Sequence, residues 1–135
     1  MSWEKSLVRI ADFEVEGLRK RLAAIVERKA LAELKLAMLH AEAESENARA
    51  DEDAAAGWYK IGFLRGWRIR RDGLLAEIAE IEAEEAGARD ALTRAFEELK
   101  KYEQVAENAR VAGVRAAAGR ERAAFDELGL RRSAS

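Results

Sequence analysis

Between Val15 and Ala43 the apolar residues of this chain recur in alternating steps of three and four. They are Val15, Leu18, Leu22, Ile25, Ala32, Leu36, Leu39 and Ala43, and Lys29 is the one position that breaks the series. A mean repeat of 3.5 residues keeps one face of an α-helix turned toward a partner helix and implies a left-handed supercoil. A second series runs Leu74, Ile78, Ile81, Ala88, Leu92, Ala95, Leu99, Tyr102, Ala106 and Ala109, with Glu85 filling its gap. No proline occurs anywhere in the 135 residues. Nothing therefore removes an amide donor or clashes with a preceding turn, and helices of many turns are allowed.

Upstream, Trp3, Leu7 and Ile10 sit three or four apart, which starts the first helix near Ser2 or Trp3. The stretch "ESENARADEDAAAGW" separates the two series. Asn47, Asp51 and Asp53 are favourable N-cap residues, and Gly57 is the first helix breaker after a long run. Glu46 and Ala50 fall where the seam calls for apolar residues, so the pattern ends here. The spacing predicts one helix over about 3–49, a turn over about 50–57 and a second helix over about 58–130. A short connection makes the helices antiparallel neighbours. The predicted fold is all-α: a single antiparallel coiled-coil hairpin over 1–135, its second helix longer and overhanging.

With the turn centred near residue 54, position i faces about position 108 − i, so Leu22 meets Ala86 and Trp3 meets Val105. Everything after about Arg110 then lies beyond any partner within the chain. That overhang, "RVAGVRAAAGRERAAFDELGLRR", sets six arginines against Glu121, Asp126 and Glu127. Gly113, Gly119 and Gly129 each cost about 1 kcal/mol relative to Ala in a helix, so the unpartnered segment should fray. Val111, Val114, Phe125, Leu128 and Leu130 have nothing to bury against unless another protein supplies the surface.

The chemistry available to such a chain is narrow. No cysteine is present, which excludes disulfides and thiolate metal sites and fits a reducing compartment. His40 is the only histidine and reads as a solvated helix residue, so no metal and no cofactor are expected. The acidic run Glu42, Glu44, Glu46, Asp51, Glu52 and Asp53, with only Arg49 against it, reads as a self-repelling tip and lacks the spacing of a calcium loop. No serine has a His–Asp partnership, and a pair of helices lacks the concavity that excludes water around a reaction. An enzyme is not expected. A net charge of −2 argues against nucleic acid as a partner. The early acids Glu4, Asp12, Glu14 and Glu16 do not fit a secretory leader, and no apolar run is long enough to span a bilayer. The expected compartment is the cytoplasm.

One stretch departs from this plain composition. Four of the nine aromatic residues lie between Trp58 and Trp67. Tyr59, Phe63 and Trp67 form one helical stripe, continuing to Arg71 and Leu74, and Trp58, Ile61 and Leu64 form its neighbour. Together they cover more arc than a two-helix seam buries. The stretch reads either as an aromatic plug closing the tip, as a partner-binding patch rich in Trp, Tyr and Arg, or as a self-association surface. On the first helix, Leu31, Leu34 and Met38 share a face turned from the seam and either widen it or form a contact surface.

The second helix carries "AFEELKKYEQVAENAR" and, after a spacer, "ERAAFDELGLRR". Lys100, Lys101 and Glu103, followed by Asp126, Glu127, Leu128, Arg131 and Arg132, resemble the FliJ family of the flagellar type III export apparatus. The early "KSLVRIADFEVE" and the aromatic and glycine stretch at mid-chain agree in order and spacing. The resemblance implies a non-catalytic stalk, regulator and chaperone escort, cytoplasmic and peripherally associated with the inner-membrane export apparatus. The implied partners are the export ATPase hexamer, the cytoplasmic region of the export gate and export chaperones, met by a monomer with at most weak self-association. It puts gate contacts on Trp58, Tyr59, Phe63, Leu64, Trp67, Arg68 and Arg71, and ATPase-ring contacts on Asp126, Glu127, Arg131 and Arg132. Gly62, Gly66 and Gly73 depart from the family's pattern. A homodimeric coiled-coil adaptor, or the equivalent stalk of an injectisome, fits the same residues.

Overall fold

The computed structural model describes residues 2–52 and 57–134. Two helices account for nearly all of them: α1, Trp3–Glu52, and α2, Gly57–Ala134. The fold is an all-α helical hairpin. Residues 53–56, on which part of the expected turn falls, lie outside the described residues. Ser2 caps α1, accepting from the Lys5 amide on its hydroxyl at 3.4 Å and from the Ser6 amide on its carbonyl at 3.2 Å. Glu4 in the first turn of α1, and Arg131 and Arg132 in the last turn of α2, complement the helix dipoles.

The chain divides into two packed units. The first spans Gly17–Leu92. Its core is Ile25 and Ala32 from α1 with Ile78, Ile81 and Ala88 from α2, flanked by half-buried Leu22 and Leu36. The two seam flaws meet each other: the Lys29 ammonium donates to Glu85 at 3.3 Å, and Arg89 donates to the second Glu85 oxygen at 3.0 Å. Two charged residues facing each other across a seam satisfy one another where either alone would be stranded. Arg28 reaches Glu84 at 2.6 Å. The expected register placed position 80 opposite Arg28, so the ion pair lies a helical turn further along α2. Side chains lean toward the N-terminus of their own helix, so antiparallel partners meet at higher combined numbers than their backbones do.

The second unit comprises the residues up to Glu16 and those from Thr93 onward. Ala11, Val15, Ala95 and Leu99 are buried in it. The helix start read from Trp3, Leu7 and Ile10 agrees with α1, which begins at Trp3; the inward position beside them belongs to Ala11, and Ile10 is 66% exposed. Counting back from Val15 by four and then three reaches Ala11 and Val8, so the heptad outranks the bulkier neighbour. Ala109, expected in the seam, is exposed, whereas Glu46 and Ala50 of the other unit stay half-buried at seam positions. The seam therefore outlasts its apolar residues toward the tip and ends before Ala109. Beyond Arg110, α2 continues past the predicted end near residue 130. α2 stays helical to Ala134 with no positive-φ glycine, supported by Arg110–Glu107 at 2.7 Å and Arg131–Glu127 at 3.1 Å.

Candidate partner-binding surfaces

At the start of α2, Lys60, Leu64, Trp67, Arg71 and Leu74 continue the three-and-four alternation, and each is buried or half-buried. This places Trp67 in the seam, 8% exposed. A buried indole needs an acceptor. Its N–H donates to the carbonyl of Leu39 on α1 at 2.7 Å. The Arg71 guanidinium lies 5.3 Å from the centre of the Trp67 ring, a cation–π contact, and also donates to Asp72 at 3.0 Å. The imidazole of His40 meets the same ring edge-on at 5.4 Å.

Of the other residues expected at a gate-binding patch, Phe63 and Leu64 are half-buried, Arg68 is exposed, and Tyr59 is 80% exposed. The side chain of Trp58 lies outside the described residues. On the side of α2 turned from the seam, Ile61 and Ile69 are both largely exposed, with Arg65 between them at helical spacing. Sequence reasoning overlooked Ile69; its separation of eight from Ile61 was the available signal.

The acidic run at the end of α1 is less solitary than expected. Arg70 of α2 reaches both oxygens of Glu42, at 3.3 and 3.4 Å, and Arg49 takes Glu46 at 3.4 Å. Beside this fork lies an open groove of about 840 Å³, lined by Met38, Leu39 and Leu74 together with Lys35, Glu42 and Arg70. Gly73 contributes no side chain to fill it.

At the other end of α2, Asp126, Glu127, Arg131 and Arg132 are all exposed. Glu107 is held below the ordinary carboxylate range by its hydrogen bond and charge contact with Arg110. The Tyr102 phenol is pushed up, first by its hydrogen bond to Glu98 and then by that carboxylate's charge. Among the described residues no cluster of three potential ligands could hold a metal ion, and no helix is long and apolar enough to cross a membrane.

No family model and no solved structure matches the chain. Two curated relatives do: the flagellar FliJ proteins of Caulobacter vibrioides strains NA1000 / CB15N and ATCC 19089 / CIP 103742 / CB 15. Each is 50% identical to this chain over 132 residues, covering 98% of it and 95% of the relative. The chain belongs to the FliJ family. As a FliJ-family chain it distributes its candidate residues unevenly. The aromatic start of α2 is divided between the seam and the surface, and the charged end of α2 is wholly at the surface. The first division was invisible to composition. It depends on which of two adjacent stripes, four residues long in pitch, falls in phase with α1.

Proposed function

We propose that this chain serves the flagellar type III export apparatus as a non-catalytic stalk and regulator. In this reading it engages the export ATPase hexamer and the cytoplasmic region of the export gate, and escorts export chaperones. The observation that carries it is the 50% identity over 98% of the chain to proteins named flagellar FliJ. Those names also favour a flagellar system over an injectisome. Two seam-packed helices with large exposed side chains suit a protein that works through contacts.

The gate-binding surface is assigned to the start of α2. Tyr59, Phe63, Leu64 and Arg68 present accessible atoms there, and Trp58 joins them on sequence grounds. Trp67 and Arg71 act from beneath: the indole fixes α2 against α1, and the guanidinium covers its outer face. The ATPase contacts are assigned to Asp126, Glu127, Arg131 and Arg132, whose charges are free of burial. The protein is then cytoplasmic and held at the inner membrane by protein partners alone.

The test is to titrate the protein into its cognate export ATPase and follow ATP hydrolysis. Stimulation that falls when Arg131 and Arg132 are both changed to Ala supports the reading. No stimulation at any ratio overturns it.

A further inference from the structure

The end of α2 carries a heptad register of its own. Val111, Val114, Ala118, Glu121, Phe125, Leu128 and Arg132 follow steps of three and four, starting five residues after Ala106. That step of five breaks phase with the seam against α1, so this stripe lies on a different face of the helix. Val114 and Leu128 are more than half exposed and Phe125 is 72% exposed. The charged residues that flank the stripe are Arg110, Arg115, Arg122 and Arg131, and the remaining flanking positions are Ala117, Ala124 and Gly129. Arg110 and Arg131 pair with carboxylates of their own helix, whereas Arg115 and Arg122 make no ion pair with a described residue.

We infer that this face docks an amphipathic helix of another protein whose flanking positions are acidic. Flanking charges set partner choice in coiled coils. A second copy of this chain is a poor occupant, because either orientation of a symmetric pair sets arginine against arginine. The same opposition disfavours any basic helix. Glu121 adds a further requirement, since it stands within the stripe itself: the partner carries a Lys or Arg facing it. The hairpin already contains this arrangement, in the seam pair Lys29–Glu85. The inference goes beyond the proposed function: the stripe meets the charged cluster only at Arg131 and Arg132 in its last turn, and the test reads Arg115, Arg122 and Phe125.

The probe is a synthetic helix matching residues 111–132 in length, with Leu at its seam positions, Glu at its flanking positions and one seam Lys. The control has Lys at the flanking positions and one seam Glu. Each is titrated into the full chain by calorimetry. The acidic peptide should bind at least about tenfold more tightly than the basic one, and the difference should shrink as NaCl is raised. The double variant Arg115→Glu/Arg122→Glu should abolish the preference, with helicity unchanged by circular dichroism. Arg120→Glu, on the same helix but off the flanking positions, should leave it unaltered. Phe125→Ala should weaken the acidic peptide without altering charge preference. Equal binding of the two peptides, an Arg120→Glu effect as large as the double variant's, or self-association of the full chain that Phe125→Ala abolishes would each overturn the assignment.

Discussion

An indole N–H turned into a helix–helix seam must find an acceptor there, and Trp67 finds the carbonyl of Leu39. Trp67→Phe keeps most of the ring and loses the donor, so it should cost about 1–2 kcal/mol in urea unfolding. Trp67→Ala should cost about 3–5 kcal/mol. Tyr59→Ala, at an exposed ring, should shift stability by less than about 0.5 kcal/mol, and its effect should appear in partner binding. The Lys29–Glu85 contact predicts a pH dependence. Glu85 is held below the ordinary carboxylate range, first by its hydrogen bond to Arg89 and then by that to Lys29. Its contribution is therefore present above that range and lost as pH falls through the depressed folded value. Lys29 is raised, chiefly by its hydrogen bond to Glu85, so its contribution is complete below the ordinary lysine value and lost only in strong alkali. Unfolding followed across pH should show Lys29→Met moving the acid-side loss to higher pH. An unchanged acid limb would mean that Lys29 does not hold Glu85.

At the scale of the helices, the seam separates costly positions from indifferent ones. Ile81 is buried among Ile25, Ala32 and Ile78, and Ile81→Ala should destabilise by about 2–4 kcal/mol. Leu34 is more than half exposed, and Leu34→Ala should stay within about 0.5 kcal/mol. Gly87 lies within α2, and a methyl group there would meet no atom within 4 Å. Gly87→Ala should raise stability by about 0.5–1 kcal/mol, because the unfolded chain loses freedom and the native helix loses no contact. Both helices were legible from spacing, since a 3.5-residue repeat has no other economical fold. The seam's reach was less legible. Glu46 and Lys60 hold seam positions with long polar side chains, whose stems can line a seam while their charges stay wet. Apolar spacing alone stops short of such residues.

For the molecule as a whole, many large apolar side chains among the described residues stay exposed, including Leu31, Leu34 and Met38 on one face of α1. Were that face the centre of an obligate dimer, the adaptor reading would hold. Sedimentation at micromolar concentration should instead return the 15.0 kDa of one chain, and a species of twice that mass would favour the adaptor.

The heptad spacing and the absence of proline determined two long helices, because period and chain stiffness are properties of the chain alone. The same local pattern marked Lys29 and Glu85 as flaws. Only packing showed that the two flaws satisfy each other, since that requires the register of one helix against the other. In the aromatic stretch, only tertiary structure set which stripe faces the seam. Once α1 stood beside it, Trp67 turned inward to Leu39 and Tyr59 was left outside, because a seam buries one stripe and leaves its neighbour to solvent.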